Sequence, residues 1–203
     1  DLTGSNQYVG NWPGVTVEKK EGKLKKNGDV IITDLPGIYS LSPYSAEEIV
    51  SRQFILDEKP KGIINIVDAT NLSRSLFFTT QLLELGIPMV VALNKADVNA
   101  KKETVIDTKL LSEKLGCPVI DTVSPASEGL KEVVKEAVSQ IGKNQKALYE
   151  QGEIDLSSKE EVLAADRKRF EFVNKIVKEV ETRKVFTKQK NTGDKIDDIL
   201  TNK

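Results

Sequence analysis

Three near-continuous apolar runs constrain the fold of this chain more than any other feature. They read GIINIVDA at residues 62–69, IPMVVALN at 87–94 and CPVIDTV at 117–123. Runs without polar alternation are typical of strands buried on both faces, as in a parallel sheet. Helical patterns lie around and between them, at residues 72–85, 108–115 and 130–141. Strands that alternate with helices predict an α/β fold with a doubly wound, mostly parallel sheet.

The chain before the first run predicts a β-hairpin over residues 15–34. VTVEKKEGKLKK is polar and partly alternating, NGD is a turn signal, and VIITD is a short apolar strand. Further on, Ser45 followed by Glu48 forms a capping-box pattern that predicts a helix start.

The chain after Gly142 changes character and predicts a small C-terminal helical appendage. A long helix should begin after Ser158 as N-cap, with Glu161 completing a capping box. Its apolar stripe, at Phe170, Val173, Val177 and Val180, is interpreted as a face packed on the main domain rather than as a partner-binding face. We therefore expect a main domain at 1–142, a helical appendage at 143–182, and a basic linker with a short amphipathic helix at 183–203.

Composition excludes several classes of function. The 203 residues include no histidine and one cysteine, which removes Ser-His and Cys-His catalysis and a disulfide framework. Cys117 has apolar neighbours and is predicted to be a buried structural residue. A net charge of −1 does not argue for a nucleic-acid partner. No apolar run reaches the roughly 20 residues of a membrane span and no signal peptide is present, so the chain is expected to be soluble and cytosolic.

In a doubly wound sheet, ligands bind beyond the carboxyl ends of the strands. The tetrapeptide NKAD, residues 94–97, lies at the carboxyl end of the second apolar run. The Asp97 carboxylate can accept hydrogen bonds from N1–H and the exocyclic amine of guanine, which adenine does not offer. Asn94 can bind N7 and brace neighbouring loops, and the stem of Lys95 can lie over the base. The alternative is an ordinary loop in which Asp97 is a helix N-cap.

Three weaker signals accompany this tetrapeptide. Asp34 and Gly37 form a D-x-x-G pattern suited to a water on Mg²⁺ and to a γ-phosphate, although such turns also occur by chance. In SPASEGL, Ser124 can offer its N–H to guanine O6, or the loop simply starts a helix. Thr16 could bind Mg²⁺ through its hydroxyl, or it is an ordinary strand residue. Together these signals occur in the order expected of a GTP-binding domain.

The segments NQYVGNWPGVTVEKKEG, DLPGIYSLSPYSAEE and VDATNLSRSL closely resemble the cytosolic G domain of the bacterial ferrous-iron transporter FeoB family. The resemblance covers residues 1–142 and resumes at ADRKRFEFVNKIV and TGDKIDDILTNK, which look like the segment before that family's first membrane helix. The intervening 143–165 is shorter than that family's helical subdomain. The resemblance implies a P-loop GTPase-like fold at the cytoplasmic face of the bacterial plasma membrane, attached to a membrane domain that takes up Fe²⁺.

The resemblance also implies roles for individual residues. Thr16 would be the switch I ligand of Mg²⁺, and Asp34 and Gly37 would contact Mg²⁺ and the γ-phosphate in switch II. Asn94, Lys95, Asp97 and Ser124 would bind the base of GTP or GDP. A potassium ion at the phosphates would be capped by switch I backbone around residues Gly10, Asn11 and Trp12. Homo-oligomers remain an open option.

Two departures from the G-domain pattern are visible. The sequence contains no G-x-x-x-x-G-K-[ST] phosphate loop, and DLTGSNQ resembles the end of the helix that should follow one. We therefore expect that the first strand and phosphate loop precede this sequence, the alternative being a protein that lacks the loop. In either case the chain alone should bind GTP poorly, and apolar neighbours of that central strand should lie open. The second departure is Ile38, which stands where many G proteins carry a water-orienting Gln and so predicts slow hydrolysis. Glu47 and Glu48 are conceivable substitutes, but the capping box favours a structural role for Glu48.

Four functions compete at this point. The leading one is the GTPase domain of an Fe²⁺ transporter, and the second is a guanine-nucleotide sensor that does not hydrolyse. An unrelated cytosolic G protein would favour a basic RNA-binding surface, which the net charge does not support. A receiver domain phosphorylated on Asp34 would lack the early acidic pair and leave NKAD without a role.

Overall fold

The computed structural model describes residues 7–12, 18–25, 27–41, 45–155 and 158–183. The strands are β1 (Gln7–Asn11), β2 (Glu18–Leu24), β3 (Asn27–Asp34), β4 (Ile63–Asp68), β5 (Met89–Asn94), β6 (Thr104–Ile106), β7 (Val119–Thr122) and β8 (Glu181–Arg183). The α-helices are α1 (Ala46–Glu58), α2 (Leu72–Leu83), α3 (Ala96–Lys101), α4 (Thr108–Leu115), α5 (Leu130–Gln140) and α6 (Lys159–Val180), and short 3₁₀ turns cover Ala69–Asn71 and Ser124–Ala126.

The three apolar runs form a parallel sheet in the order β4–β5–β7, which confirms the predicted doubly wound α/β fold. All five residues from Met89 to Leu93 are buried because β5 is covered on both faces. The main core packs one face of this sheet against α2, α4 and α6, and a smaller cluster around Val90, Ala92 and Val133 packs the other face against α5. Burial on both faces explains why these runs carry no polar alternation.

The outer edge of β4 has no strand partner among the residues that the structure describes. On this edge strand Ile66 is 70% exposed, although its neighbour Val67 is completely buried. An apolar side chain thus lies open on this short edge strand.

The first three strands form an antiparallel sheet in the order β1–β2–β3, so the predicted hairpin is confirmed. One detail of the prediction was wrong: Leu24 pairs with Asn27, so NGD lies at the start of β3 and the turn comes before it. Gly10 and Asn11, which the resemblance placed in switch I, lie in the additional strand β1, where they pair with Lys19 and Glu18.

The helix N-caps predicted at Ser45 and Ser158 are both present in the structure. The side chains and backbone nitrogens of Ser45 and Glu48 exchange the two hydrogen bonds of a capping box, which confirms the structural role of Glu48. Ser158 caps α6 as predicted, and its hydroxyl accepts from Glu161 N–H. The second half of that predicted box was wrong, because the Glu161 carboxylate accepts from Asp155 N–H at 3.0 Å and Ser158 N–H donates to Asp155 O.

Helix α6 packs its apolar face on the parallel-sheet unit, as predicted. Val173, Ile176 and Val180 are part of the main core, and Phe170 stacks on Phe77 of α2 with ring centroids 4.3 Å apart. The helix ends at Val180, so the last two residues of the predicted appendage at 143–182 are not helical. Residues Glu181–Arg183 instead form β8, which pairs antiparallel with β6.

The basic linker and the terminal amphipathic helix predicted beyond Arg183 lie outside the described residues. Within the part of the chain that the structure describes, none of the helices has both the length and the apolar character that crossing a membrane requires.

A buried ion pair fastens α6 to α2. Arg169 is 4% exposed, and its guanidinium lies 2.6 Å from the Glu84 carboxylate and donates to Thr80 Oγ1 at 3.1 Å. It also lies over the Tyr149 ring, 4.7 Å from the centroid. The other Glu84 oxygen accepts from Gln151 N–H at 2.6 Å, so the pair also ties in the segment before α6.

We expect Glu84→Ala to lower the free energy of unfolding by about 3 kcal/mol, because it leaves the Arg169 charge buried without its partner. Urea denaturation followed by circular dichroism measures this loss. Glu179→Ala is the matched control, since its ion pair with Lys114 is on the surface and should be worth less than about 1 kcal/mol. Equal losses in the two variants would contradict the assignment of a buried, stabilising pair.

Cys117 provides a second test of the core. It is buried as predicted, and burial raises the pKa of its thiol to about 12. Because the thiolate is the reactive form, we expect Cys117 to react with Ellman's reagent near pH 8 only as fast as the protein unfolds. Rapid labelling of the native protein, at a rate independent of denaturant, would show that the thiol is accessible.

Candidate functional site

The parallel register places three polar residues at one level of the sheet. Asp68, the last residue of β4, lies opposite Asn94, the last residue of β5, and Asn94 lies opposite Thr122, the last residue of β7. The carboxyl ends of parallel strands meet at one edge of a sheet, which is where ligands bind in this class of fold. The NKAD and SPASEGL segments therefore begin next to each other.

Asn94 joins these two loops directly. Its Oδ1 accepts from the Ser124 N–H at 3.2 Å and from the Ser124 hydroxyl at 2.9 Å, with the Thr122 hydroxyl at 3.5 Å. The bracing role predicted for Asn94 is thus present, and it fixes Ser124 at the rim of the site.

Asp97 lies inside α3 rather than at its N-cap, so the alternative interpretation of NKAD as a loop with an Asp cap was wrong. The N-cap position is Lys95, which has a left-handed backbone with φ 67° and no capping side-chain bond. Asp97 follows in the first turn, and its side chain is 42% exposed, with Lys101 Nζ 3.8 Å away. A carboxylate this accessible can accept hydrogen bonds from a ligand.

Lys95 is held by a residue that sequence analysis did not single out. Its Nζ lies 2.6 Å from Asp68 Oδ2, while Asp68 Oδ1 accepts from the N–H and hydroxyl of Thr70. Partial burial opposes the charge on Asp68, but the hydrogen bonds from Lys95 and Thr70 outweigh it and lower the pKa of that carboxyl. The hydrogen bond from Lys95 to Asp68 correspondingly raises the pKa of the ammonium group. Both groups are charged at neutral pH.

The loop that carries Ser124 depends on a glycine. Gly129 has φ +74° and begins α5, and a Cβ at this position would overlap the carbonyl oxygen of Asp121. The same loop contains Ser127 in a left-handed conformation, and Val123 and Glu128 bond to each other across it. Only glycine fits where the loop turns back against β7, so the shape of the loop is fixed.

The D-x-x-G segment runs from the end of β3 along α2. Asp34 is exposed at the end of the strand, and a Cβ on Gly37 would meet nothing within 4 Å, so packing does not account for that glycine. Two contacts hold the segment that follows. The Arg74 guanidinium lies 3.8 Å from the centroid of the Tyr39 ring, and the Leu41 N–H donates to Gln81 at 2.8 Å.

A cavity of about 230 Å³ joins the two parts of the candidate site. Ile38 and Tyr39 of the D-x-x-G segment line it on one side, and Asp68, Asn94 and Lys95 line it on another. The D-x-x-G segment and the NKAD loop thus share one cavity at the carboxyl edge of the sheet.

The residues predicted for switch I are more dispersed. Gly10 and Asn11 lie in β1, and Trp12 is buried with its ring edge-on to Phe54 of α1, at 5.3 Å between centroids. Lys19 lies over the same indole ring. Thr16, predicted as a Mg²⁺ ligand, lies outside the described residues.

The structure therefore brings Asn94, Lys95 and Ser124 together, with Asp97 in the first turn of α3. Asp34 has no described contact with this group. Sequence analysis missed Asp68 and Gly129. The signal for Asp68 was its place at the end of an apolar run, like Asn94, and the signal for Gly129 was a glycine directly before a helical pattern.

Comparison with known proteins gives the family. The family model described as "Ferrous iron transport protein B" matches residues 1–137. The chain belongs to this family. Among curated FeoB relatives, the Fe(2+) transporter FeoB of Salmonella typhimurium is 46% identical over 148 residues, which is 70% of this chain and 19% of that protein. The Staphylococcus aureus transporter is 48% identical over 135 residues, or 66% and 20% of the two chains. The chain spans about a fifth of the length of these relatives.

Solved FeoB structures have the same fold. The cytosolic domain of T. maritima FeoB in its GMPPNP form has a TM-score of 0.78 at 29% identity, covering 89% of this chain and 92% of that one. A GDP-bound mutant of the S. thermophilus FeoB G-domain has a TM-score of 0.75 at 34% identity, with the same coverage. The fold of this chain is therefore that of a FeoB G domain, as the sequence resemblance implied.

We expect Gly129→Ala to lower the free energy of unfolding by about 3 kcal/mol or more, through the left-handed backbone and the overlap with Asp121. Gly142→Ala is the matched control: it also has positive φ, +82°, but a Cβ there meets nothing within 4 Å. Backbone strain alone should cost that control about 1–2 kcal/mol. Thermal or urea unfolding measures both, and similar losses would show that the loop has room for a side chain.

Proposed function

We propose that this chain is the guanine-nucleotide-binding, slowly hydrolysing cytosolic domain of an Fe²⁺ membrane transporter. The observation that carries the proposal is the hydrogen-bonded link from Asn94 to Ser124, beside the accessible carboxylate of Asp97. These groups are already assembled at the edge of the sheet, so the base has a site with fixed geometry. Fixed geometry limits the entropy lost on binding.

Base selectivity follows from the donor and acceptor pattern of these groups. Asp97 accepts from N1–H and the amine of guanine. The Ser124 N–H, which the sequence assigned to guanine O6, instead donates to Asn94 Oδ1 at 3.2 Å, so base selectivity rests on Asp97. Adenine carries no N1–H and no amine in that place, so its ring would leave the carboxylate unpaired. The Lys95 stem covers the plane of the base.

The phosphates have a less complete site in these 203 residues. The sequence has no phosphate loop, so the backbone N–H cradle and lysine of that loop are not supplied by it. Gly37 has no Cβ that would keep a γ-phosphate from its N–H, and Asp34 fits the one-carboxylate pattern of nucleotide-bound Mg²⁺. Thr16 would be the second Mg²⁺ ligand, and the backbone near Trp12 would cap a K⁺ ion. Mg²⁺, when bound, neutralises charge on the phosphates.

Hydrolysis should be slow. Ile38 cannot orient a water molecule, and the Glu48 carboxylate is engaged in its capping box. Because neither Ile38 nor Glu48 is suited to orient the attacking water, the same observations favour the second candidate, a nucleotide sensor that changes state without turnover. Steady-state phosphate release in K⁺ and in Na⁺ distinguishes the two candidates, since only the enzyme shows turnover that K⁺ accelerates.

The proposed link to a membrane domain is supported by the family to which the chain belongs. The matched relatives are Fe(2+) transporters, and we propose that nucleotide binding here regulates iron uptake by the membrane domain of the same polypeptide. The domain would then work at the cytoplasmic face of the bacterial plasma membrane.

The first experiment is titration of fluorescent GDP against this chain, with Mg²⁺, in K⁺ and then in Na⁺. A second sample carries the first strand and phosphate loop of the S. typhimurium relative joined before Asp1. We expect weak binding to the chain alone, strong binding to the extended chain, and competition by GDP but not ADP. Absence of binding by both would overturn the proposed function.

Asp97→Asn tests base recognition directly. The amide cannot accept from both guanine donors, so GDP affinity should fall by about 100-fold. Xanthine carries a carbonyl oxygen in place of the amine, so xanthosine diphosphate should bind the variant better than it binds the unaltered chain. Calorimetric titrations measure both affinities. Unchanged GDP affinity would show that Asp97 does not read the base.

A further inference from the structure

Asp68 is fixed in place from three directions. Its backbone is the end of β4 in register with Asn94, and its N–H donates to the hydroxyl of Ser75 at 3.2 Å. Its Oδ1 accepts from the Thr70 N–H at 2.9 Å and from the Thr70 hydroxyl at 2.7 Å. These bonds determine the rotamer of the carboxylate and leave Oδ2 directed at Lys95.

Lys95 is consequently fixed at both ends of its side chain. Its backbone is held in a left-handed conformation between β5 and α3, and its Nζ is held 2.6 Å from Asp68 Oδ2. The four-carbon stem between these points would otherwise rotate freely. A second bond supports the same junction, because the Asn99 amide of α3 donates to Ala69 O, next to Asp68, at 2.8 Å.

We propose that Asp68 is a positioning residue for guanine recognition, acting through Lys95. By holding the ammonium group, Asp68 keeps the Lys95 stem extended along the carboxyl edge of the sheet, where it can cover the plane of the base. In this proposal Asp68 acts on the nucleotide only through Lys95. The inference rests on the proposed function, since it concerns how that same site binds its base.

A purely structural role for Asp68 makes different predictions. Asp68 also caps the Ala69–Asn71 turn through Thr70, and a cap stabilises the fold whether or not Lys95 is charged. Removing the Asp68 charge would then weaken binding by the same factor with or without the Lys95 charge. A positioning role acts only through Lys95. The losses of affinity caused by removing the Asp68 charge and the Lys95 charge should therefore not multiply.

The experiment is a double-mutant cycle on GDP binding by this chain, measured by calorimetry. Asp68→Asn keeps an oxygen acceptor for Thr70 but removes the charge, and Lys95→Met keeps the stem but removes the ammonium group. We expect about a tenfold loss of affinity for Asp68→Asn, and no further loss when it is added to Lys95→Met. The loss caused by Asp68→Asn should also shrink as salt rises, since the ion pair that it removes is partly exposed.

Asp107→Asn is the matched control. Asp107 caps α4 through a bond from Leu110 N–H at 2.9 Å and lies outside the candidate site, so its variant should bind GDP within about twofold of the unaltered chain. Losses that multiply in the cycle, or an Asp68→Asn variant that binds normally while the unaltered chain binds GDP, would overturn the positioning role alone. If the unaltered chain does not bind GDP with or without the added phosphate loop, the proposed function and this inference both fail.

Discussion

The parallel pairing of β5 between β4 and β7 is the constraint on which the candidate site depends. Because β5 is buried on both faces, a shift of one residue would exchange its two sets of packed side chains, and its register is therefore strongly specified. That register sets Asp68, Asn94 and Thr122 at one level. The apolar packing of β5 therefore determines which polar residues meet at the carboxyl ends of the strands, where the candidate site lies.

Helix α2 connects this site to the rest of the molecule. Its buried Thr79 bonds to Asn65 of β4 at 2.7 Å, and its Ser75 hydroxyl accepts from the backbone of Asp68. Further along, Gln81 accepts from Leu41 after the D-x-x-G segment, and Glu84 pairs with Arg169 of α6. Helix α2 thus contacts the carboxyl edge of the sheet, the D-x-x-G segment and the C-terminal helix, so these three regions share a common support.

Sequence analysis predicted those features whose causes are local or strongly periodic. The parallel strands followed from apolar runs, and the cap at Ser158 followed from helix-start chemistry. The failures arose from contacts between distant segments. Glu161 bonds to Asp155 because the preceding chain folds back, and β8 replaces the last helical turn because it finds a partner in β6. The end of an apolar run marks the position of Asp68, but its contact with Lys95 depends on the register of β4 against β5, which that local pattern does not specify.

The pairing of β8 with β6 has a mechanical consequence. β6 begins three residues after α3, the helix that carries Asp97, and β8 ends at Arg183, the last described residue. Because the two strands are antiparallel, Arg183 pairs with Thr104, the residue of β6 nearest α3. Tension on the chain beyond Arg183 therefore loads this short ladder, which leads through β6 to α3, as well as α6, which continues directly into β8. The last described residue is thus tied by backbone pairing to the strand that follows the helix carrying Asp97.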